Sequence, residues 1–180
     1  LLKGRVFSLR IYVTYCMQDG TYYVSKHGLV KFAALPYVEA SNGGGDDDDD
    51  PRRLMTNSGR KSEADQMEWQ TFLNKYCSAN QREDLQSKII RDVDMVMDLY
   101  LQLQHVDNKG MEAYRDRLTH AGLPKILGCD FLMDASYNPW LVEVNRFPGL
   151  EARDEQDKLI KQAVLQEAWT IVSHHKCDHC

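Results

Sequence analysis

The sequence lacks the features that mark several large classes of protein. Its apolar runs are soon broken by charge or glycine, and none approaches the ~20 residues that a bilayer-spanning helix requires. Its five cysteines, at 16, 77, 129, 177 and 180, are odd in number and scattered, unlike the dense framework of a secreted disulfide domain. Acidic residues outnumber lysine and arginine by 27 to 22, for a net charge of −5. We therefore expect no membrane insertion, no nucleic-acid partner and a reducing, cytoplasmic location.

An initiator methionine and a signal peptide are also missing. The chain begins at Leu1 and runs directly into a strand-like pattern, without the charged and apolar regions of a signal sequence. We therefore interpret the chain as a fragment that lacks its N-terminal half. Its 180 residues, 43% of them hydrophobic and 9% aromatic, are enough to fill the core of one domain.

Alternating apolar residues in the first third of the chain predict an antiparallel sheet. Residues 5–15 alternate around β-branched and aromatic side chains with a period of two, which predicts a strand. Asp19 and Gly20 predict a turn. Residues 21–24 and 29–33 then predict two further short strands, with Gly28 at the bend between them.

A low-complexity segment follows these strands. Residues 41–45 are Ser-Asn-Gly-Gly-Gly, and residues 46–50 are five consecutive aspartates. Because such a polar, glycine-rich stretch cannot bury apolar area, we predict a disordered insert over about residues 40–52. The run of aspartates indicates a solvated loop rather than a metal site.

The second half of the chain combines helices with two more strands. Helical patterns cover residues 63–76, 84–103, 111–120 and 154–173, and strand patterns cover residues 125–133 and 140–144. The turn-rich stretch 134–139 joins these two strands in a predicted hairpin. We therefore expect an α/β (α+β) fold, a mostly antiparallel sheet packed with helices, in one domain over residues 1–173. A lone Cys-x-x-Cys pair is a weak zinc signal, so we interpret residues 174–180 as a truncated tail.

Polar side chains interrupt both strands of the predicted hairpin. Asp130 lies in the first strand, while Glu143 and Asn145 lie two residues apart in the second and so project from one face. The hairpin brings these residues together, and two carboxylates with an amide oxygen are hard ligands that suit Mg²⁺, which proteins usually share with nucleotide phosphates. By spacing alone, ordinary salt bridges from Asp130 and Glu143 to basic neighbours are an equally good interpretation.

Longer motifs resemble those of one family. Gly-Cys-Asp-Phe-Leu-Met-Asp at 128–134 and Pro-Trp-Leu-Val-Glu-Val-Asn-Arg-Phe-Pro at 139–148 closely resemble the metal-binding end of the tubulin tyrosine ligase-like family. Residues 7–12 resemble the family's strand with an active-site arginine, residues 28–33 resemble the strand after it, and residues 55–57 resemble its nucleotide-facing Thr-Asn. These motifs occur in order over nearly the whole chain, so together they are more specific than any one of them.

The resemblance implies that the chain is the C-terminal part of an ATP-grasp fold, in which ATP lies between two sheets and Mg²⁺ is bound beside it. Asp130, Glu143 and Asn145 match the family's metal ligands. Arg10 matches its clamp for a phosphate or carboxylate. A bound Mg²⁺ would neutralise charge between the β- and γ-phosphates.

The reaction implied by the resemblance joins a carboxylate to an amine. A protein carboxylate is activated by ATP as an acyl phosphate, and the amine of a free amino acid then attacks it. Thr56 and Asn57 match nucleotide contacts of the family, and Lys26 supplies positive charge where the family commonly has an arginine. A lysine lacks the forked geometry with which a guanidinium holds a carboxylate.

The segments 143–150 and 157–161 resemble the larger, glutamylating branch of the family. The expected activity is therefore addition of glutamate to the acidic C-terminal tails of tubulin, with glycine and then tyrosine as less favoured donors. The expected location is the cytoplasm, at microtubules of the cytoskeleton, with the cilium, flagellum or basal body as more specific sites.

Several positions depart from the family's pattern. The family usually has Asp where this chain has Ser8, often has a lysine near Val6 and has His where this chain has Leu54. Its nucleotide-binding lysines belong to an N-terminal half that this chain does not contain, so we expect the fragment alone to be inactive. One alternative is therefore a catalytically impaired, microtubule-binding pseudoenzyme. Another is an ATP-grasp ligase that acts on a small molecule.

Overall fold

The computed structural model describes residues 2–38, 50–54, 56, 65–106, 122–134 and 136–177. Within these ranges the chain forms five strands, three α-helices and one 3₁₀ turn. The strands are β1 (Phe7–Cys16), β2 (Tyr22–Phe32), β3 (Gln66–Glu68), β4 (Pro124–Met133) and β5 (Pro139–Asn145). The helices are α1 (Trp69–Tyr76), α2 (Ala79–Val106) and α3 (Glu155–Cys177), and the 3₁₀ turn is Pro51–Arg53.

The strands form a single sheet in the order β3-β2-β1-β4-β5. Every neighbouring pair in this sheet is antiparallel. The α+β prediction with a mostly antiparallel sheet is therefore confirmed, and so is the β4–β5 hairpin. Strand β1 lies at the centre, which places its side chains beside both β2 and β4.

One face of the sheet carries the hydrophobic core. The odd-numbered residues of β1 from Phe7 to Tyr15 all belong to this core, as the period of two predicts. They pack with buried side chains of α1 and α2, including Phe72, Leu85, Ile89, Val93 and Met97. The even-numbered residues of β1 therefore project from the opposite face.

Helix α3 packs on that opposite face, chiefly against β2. Its buried residues Ile160, Val164, Ala168 and Val172 recur every four positions, which forms one apolar stripe along the helix. The helix covers only part of the face. The uncovered part, beside the start of α3, is lined by polar side chains of β1, β2 and β5.

The prediction of two short strands separated at Gly28 is wrong, because residues 22–32 form one continuous strand. Gly28 lies inside β2 and pairs with Ile11, next to an irregularity in the register. A Cβ atom at Gly28 would lie 2.7 Å from the backbone oxygen of Arg10. Glycine is therefore required for the close approach of β1 and β2, and no bend is needed to explain it.

Other boundaries also differ from the predictions. The first helix begins at Trp69 and not at residue 63, because residues 66–68 pair with β2 as strand β3. Helix α2 is longer than predicted at both ends. The helix predicted over residues 111–120 lies outside the described residues. No helix in the described part of the chain is long and apolar enough to span a membrane.

Residues 40–49 of the predicted insert and 178–180 of the predicted tail lie outside the described residues, but the described parts of both segments are ordered. Asp50 caps the 3₁₀ turn through a hydrogen bond from the backbone N–H of Arg52, and Arg53 donates to the carbonyl of Pro36. Residues 50–53 are thus held in place by local contacts. At the other end of the chain, α3 continues to Cys177, so residues 174–177 extend the last helix.

Candidate functional site

A polar cleft of about 190 Å³ opens on the face of the sheet beside the start of α3. Strands β1, β2, β3 and β5, the loop after β5 and the first turns of α3 all contribute to its walls. The lining residues are Arg10, Tyr12, Leu29, Lys31, Gln66, Glu143, Asn145, Gly149, Arg153, Asp157 and Lys161. Most of these side chains are charged or form hydrogen bonds, so the cleft suits a polar, charged ligand rather than an apolar one.

Arg10 and Asp130 form an ion pair at the edge of this cleft. They are direct cross-strand partners between β1 and β4. The Nε and Nη2 groups of Arg10 donate to the two carboxylate oxygens of Asp130, and the two side chains are only 13% and 17% exposed. Gly128 allows this arrangement, because a Cβ atom there would lie 3.0 Å from Cδ of Arg10.

Glu143 and Asn145 lie beside that ion pair. Glu143 is the cross-strand partner of Asp130, and the Nδ2 group of Asn145 donates to Oδ2 of Asp130 over 3.1 Å. Both residues line the cleft. The structure thus brings together the three predicted metal ligands, and it also supplies the salt bridge that was the competing interpretation of Asp130.

Since Val142 and Val144 alternate with Glu143 and Asn145, a regular strand would place both valines on the core face, but Val142 does not lie there. The β4–β5 register shifts between Asp130 and Phe131, which leaves Val142 unpaired and 55% exposed. Leu141 packs against the core instead, together with Val144. The bulge turns one extra residue out of the ladder, as bulges beside functional sites commonly do.

The donor set at this corner suits Mg²⁺. Two carboxylates and an amide converge there. Oδ1 of Asp130 accepts one hydrogen bond, from Arg10, and keeps a second lone pair, whereas Oδ2 accepts from both Arg10 and Asn145. Within the described ranges, no group of three or more His, Cys, Asp or Glu side chains could hold a metal ion. The protein ligands available here, Asp130, Glu143 and Asn145, are few, as is usual for a magnesium ion that also binds substrate phosphates.

Lys31 projects into the same cleft from β2. It is only 8% exposed and makes no hydrogen bond or ion pair with the described part of the chain. Burial and the nearby charge of Arg10 lower the pKa of Lys31 to about 8, and Asp130 opposes this shift. An ammonium group with little access to water and no ion-pair partner is costly in free energy, and an anionic ligand in the cleft would relieve that cost.

Lys26, the cation predicted from the sequence, does not line the cleft. Its side chain is exposed, and its backbone N–H donates to Glu167 of α3 over 3.2 Å. Lys31 occupies the cleft in its place. A signal for this was present in the sequence, since Lys31 is the only charged residue in the apolar stretch 28–33.

The first turns of α3 contain a buried ion pair that sequence reasoning missed. Asp157 and Lys161 are joined over 2.7 Å, and their side chains are 1% and 7% exposed. Lys161 also donates to the carbonyl oxygen of Glu151, and Asp157 accepts from the backbone N–H of Arg153. The spacing of four residues between opposite charges was the available signal.

One of the two predicted nucleotide contacts, Thr56, lies beside Ser8 at the start of β1. Thr56 accepts a hydrogen bond of 2.7 Å from the hydroxyl of Ser8, two residues along β1 from Arg10. Thr56 is thus on the same face of the sheet as the cleft, although it does not line it. Asn57 lies outside the described residues.

Comparisons with known proteins agree with this architecture. The family model for the tubulin-tyrosine ligase family matches residues 1–178. The mouse protein named tubulin polyglutamylase TTLL13 (Mus musculus) is 26% identical over 99% of this chain and 23% of its own length. The human tubulin polyglutamylase TTLL7 (Homo sapiens) is 25% identical over 99% of this chain and 21% of its own length. The chain thus spans less than a quarter of these relatives.

A solved structure resembles the same fold. The C-terminal domain of Pby1 from K. lactis, described as an ATP-grasp enzyme, superposes with a TM-score of 0.56 at 22% identity. The match covers 88% of this chain and 39% of that one. The family model covers almost every residue, and the structural match covers part of an ATP-grasp domain. The chain therefore belongs to the tubulin-tyrosine ligase family and folds as part of an ATP-grasp domain.

Proposed function

We propose that the protein to which this chain belongs is an ATP-dependent carboxylate-amine ligase that adds glutamate to tubulin tails. The observation that carries this proposal is the convergence of Asp130, Glu143 and Asn145 beside the buried, unpaired Lys31. A bound triphosphate needs two kinds of group around it. Acidic side chains hold its metal ion, and an unpaired cation binds its phosphoryl oxygens. The names of the relatives support tubulin as the acceptor and glutamate as the donor.

Asp130, Glu143 and Asn145 would hold Mg²⁺, which neutralises developing charge on the β- and γ-phosphates when bound. Arg10 orients the carboxylate of Asp130 through two hydrogen bonds. Lys31 would bind a phosphoryl oxygen, and in this proposal it supplies the positive charge that the sequence analysis expected from Lys26. Thr56, which is bonded to Ser8 at the start of β1, would contact the nucleotide. Asn57 would be a second nucleotide contact.

The reaction then proceeds in two steps. A carboxylate oxygen of the acceptor attacks the γ-phosphorus of ATP, so that ADP leaves and an acyl phosphate remains. The neutral amine of free glutamate attacks the acyl carbon, inorganic phosphate leaves, and the nitrogen loses a proton to give the amide. The positive charges of the cleft stabilise the phosphoryl oxygens in both steps and orient the reacting groups.

The test is ATP-dependent incorporation of labelled amino acids into microtubules by the full-length protein. Glutamate, glycine and tyrosine are supplied separately, each with and without ATP and Mg²⁺, and Glu143→Gln is assayed alongside. We expect incorporation of glutamate that requires ATP and is lost in Glu143→Gln. Incorporation of glycine or tyrosine alone would establish a ligase with a different donor, and no incorporation with any donor would overturn the proposal.

The pH dependence of the reaction should reflect the protonation of Lys31. Since the pKa of Lys31 is lowered to about 8 by burial and by Arg10, with smaller effects from Arg153 and Lys161, the free enzyme loses this charge above that pH. We expect kcat/KM for ATP to fall about tenfold per pH unit on the alkaline side of pH 8. Lys31→Arg should move this decline to higher pH, because a guanidinium stays protonated. If the alkaline decline of kcat/KM is the same in Lys31→Arg, the decline arises from another group.

One observation favours a second candidate, a pseudoenzyme that binds microtubules without modifying them. The hydroxyl of Ser8 is engaged by Thr56, and Ser8 occupies the position where the family usually has an aspartate. The site therefore lacks one carboxylate on the nucleotide side. Normal microtubule binding without incorporation of any donor would select this candidate over the ligase.

A further inference from the structure

The cations that line the cleft fall into two groups. Arg10 is paired with Asp130, and Lys161 is paired with Asp157. Lys31 and Arg153 make no ion pair with any residue in the described ranges. Glu143 is the one remaining acid among the cleft residues, and in the proposed function it serves the metal. The cleft therefore has two cations available for a ligand.

These two cations differ in their surroundings. Lys31 is buried beside Arg10 and the acids of the proposed metal site, which suits a phosphoryl oxygen. Arg153 is exposed and lies in the loop between β5 and α3, on the outer wall of the cleft. A ligand that reaches Arg153 therefore extends from the phosphates toward solvent.

The backbone around Arg153 is fixed although its side chain is exposed. The N–H of Arg153 donates to Oδ2 of Asp157 over 3.1 Å. The same oxygen accepts from Lys161, whose ammonium group also holds the carbonyl of Glu151 over 2.6 Å. Because the Asp157–Lys161 ion pair is buried, it fixes the loop before α3. The position of the Arg153 backbone is therefore set by its contacts with α3.

We propose that Arg153 is a specificity-determining residue that binds the side-chain carboxylate of an acidic substrate. This inference rests on the proposed function and names the group of the substrate that the outer wall of the cleft recognises. A guanidinium matches a carboxylate with two parallel hydrogen bonds. A substrate with a neutral side chain leaves Arg153 facing Lys31 without a counter-charge, and it therefore binds less well.

The carboxylate could belong to free glutamate or to a glutamyl residue of the acceptor tail, and the chemistry recognised is the same. Binding to the full-length protein is measured at equilibrium, with Mg²⁺ and a non-hydrolysable ATP analogue present. One arm compares glutamate with glutamine. The other arm compares a peptide of consecutive glutamates with the same peptide made of glutamines.

We expect at least one acidic ligand to bind more tightly than its neutral analogue. Arg153→Gln should weaken binding of that acidic ligand by about tenfold and change binding of the neutral analogue by less than about twofold. Arg153→Lys should recover part of the loss, since the charge remains but the fork is absent. Arg91→Gln is the matched control, because Arg91 is an exposed arginine of α2 that lies outside this cleft.

Binding separates this inference from the proposed function. If neither acidic ligand is preferred over its neutral analogue, or if Arg153→Gln binds the preferred ligand as the wild type does, Arg153 has no such role. If the preference is present and depends on Arg153 while no amino acid is incorporated, the inference stands and the ligase proposal fails. A preference confined to the peptide arm places the carboxylate on the acceptor, and one confined to glutamate places it on the donor.

Discussion

Glu143→Gln is expected to lower the rate of amino-acid incorporation by at least about a hundredfold while leaving the fold intact. The loss corresponds to roughly 3 kcal/mol of transition-state stabilisation, in the range that a bound metal supplies. Glu143 is exposed in the cleft, and it makes no hydrogen bond or ion pair with the described residues. The substitution keeps the size of the side chain and removes only its charge, so folding should be almost unaffected.

The measurement is the initial incorporation rate as a function of Mg²⁺ concentration, together with urea unfolding of both proteins. A weakened metal site should raise the Mg²⁺ concentration required for half-maximal rate. Equal rates for the two proteins at every Mg²⁺ concentration would remove Glu143 from the site. Asp130→Asn is less informative, because Asp130 also pairs with Arg10 and its loss changes stability as well as charge.

The strands that carry the site could be predicted because their sequences follow simple rules. The alternation in β1 and the turn between β4 and β5 are local signals. Strand β1 and the β4–β5 hairpin were therefore predicted nearly to the residue. Gly28 was misread as a bend, since its actual cause is the carbonyl of Arg10 on a neighbouring strand. Strand β3 was missed for a related reason: three residues carry too little pattern, and pairing with β2 is what defines them.

The part of the candidate site that depends on local structure was likewise predictable from the sequence. Asp130, Glu143 and Asn145 lie on adjacent strands of one hairpin, so their proximity follows from local structure. Lys31 and Arg153 reach the cleft from β2 and from the loop before α3, and only the packing of α3 against the sheet brings them together. Lys26 was predicted because the resemblance indicated a positive charge at that position. Which side chains of β2 face the cleft depends on the register of the strand, which the resemblance did not give.

The buried pair of Asp157 and Lys161 should make a large contribution to the stability of the region around the cleft. Asp157→Leu is expected to lower the free energy of unfolding by about 3–5 kcal/mol, because it leaves the ammonium group of Lys161 buried without its counter-charge. Lys161→Met should cost a similar amount by leaving the Asp157 carboxylate buried. Urea unfolding followed by circular dichroism measures both losses. Oδ1 of Asp157 already has no hydrogen-bond partner within the described residues, so we expect values near the lower end of the range.

The double variant Asp157→Leu with Lys161→Met should be less destabilised than the sum of the single variants, since it leaves no unpaired charge. Full recovery is not expected, because the N–H of Arg153 and the carbonyl of Glu151 both lose their partners. Lys158→Ala is the control, as Lys158 lies on the same helix in an exposed pair with Glu155 and should cost less than about 1 kcal/mol. If the single variants cost no more than this control, the buried pair is not what holds the loop, and Arg153 must be positioned by other contacts.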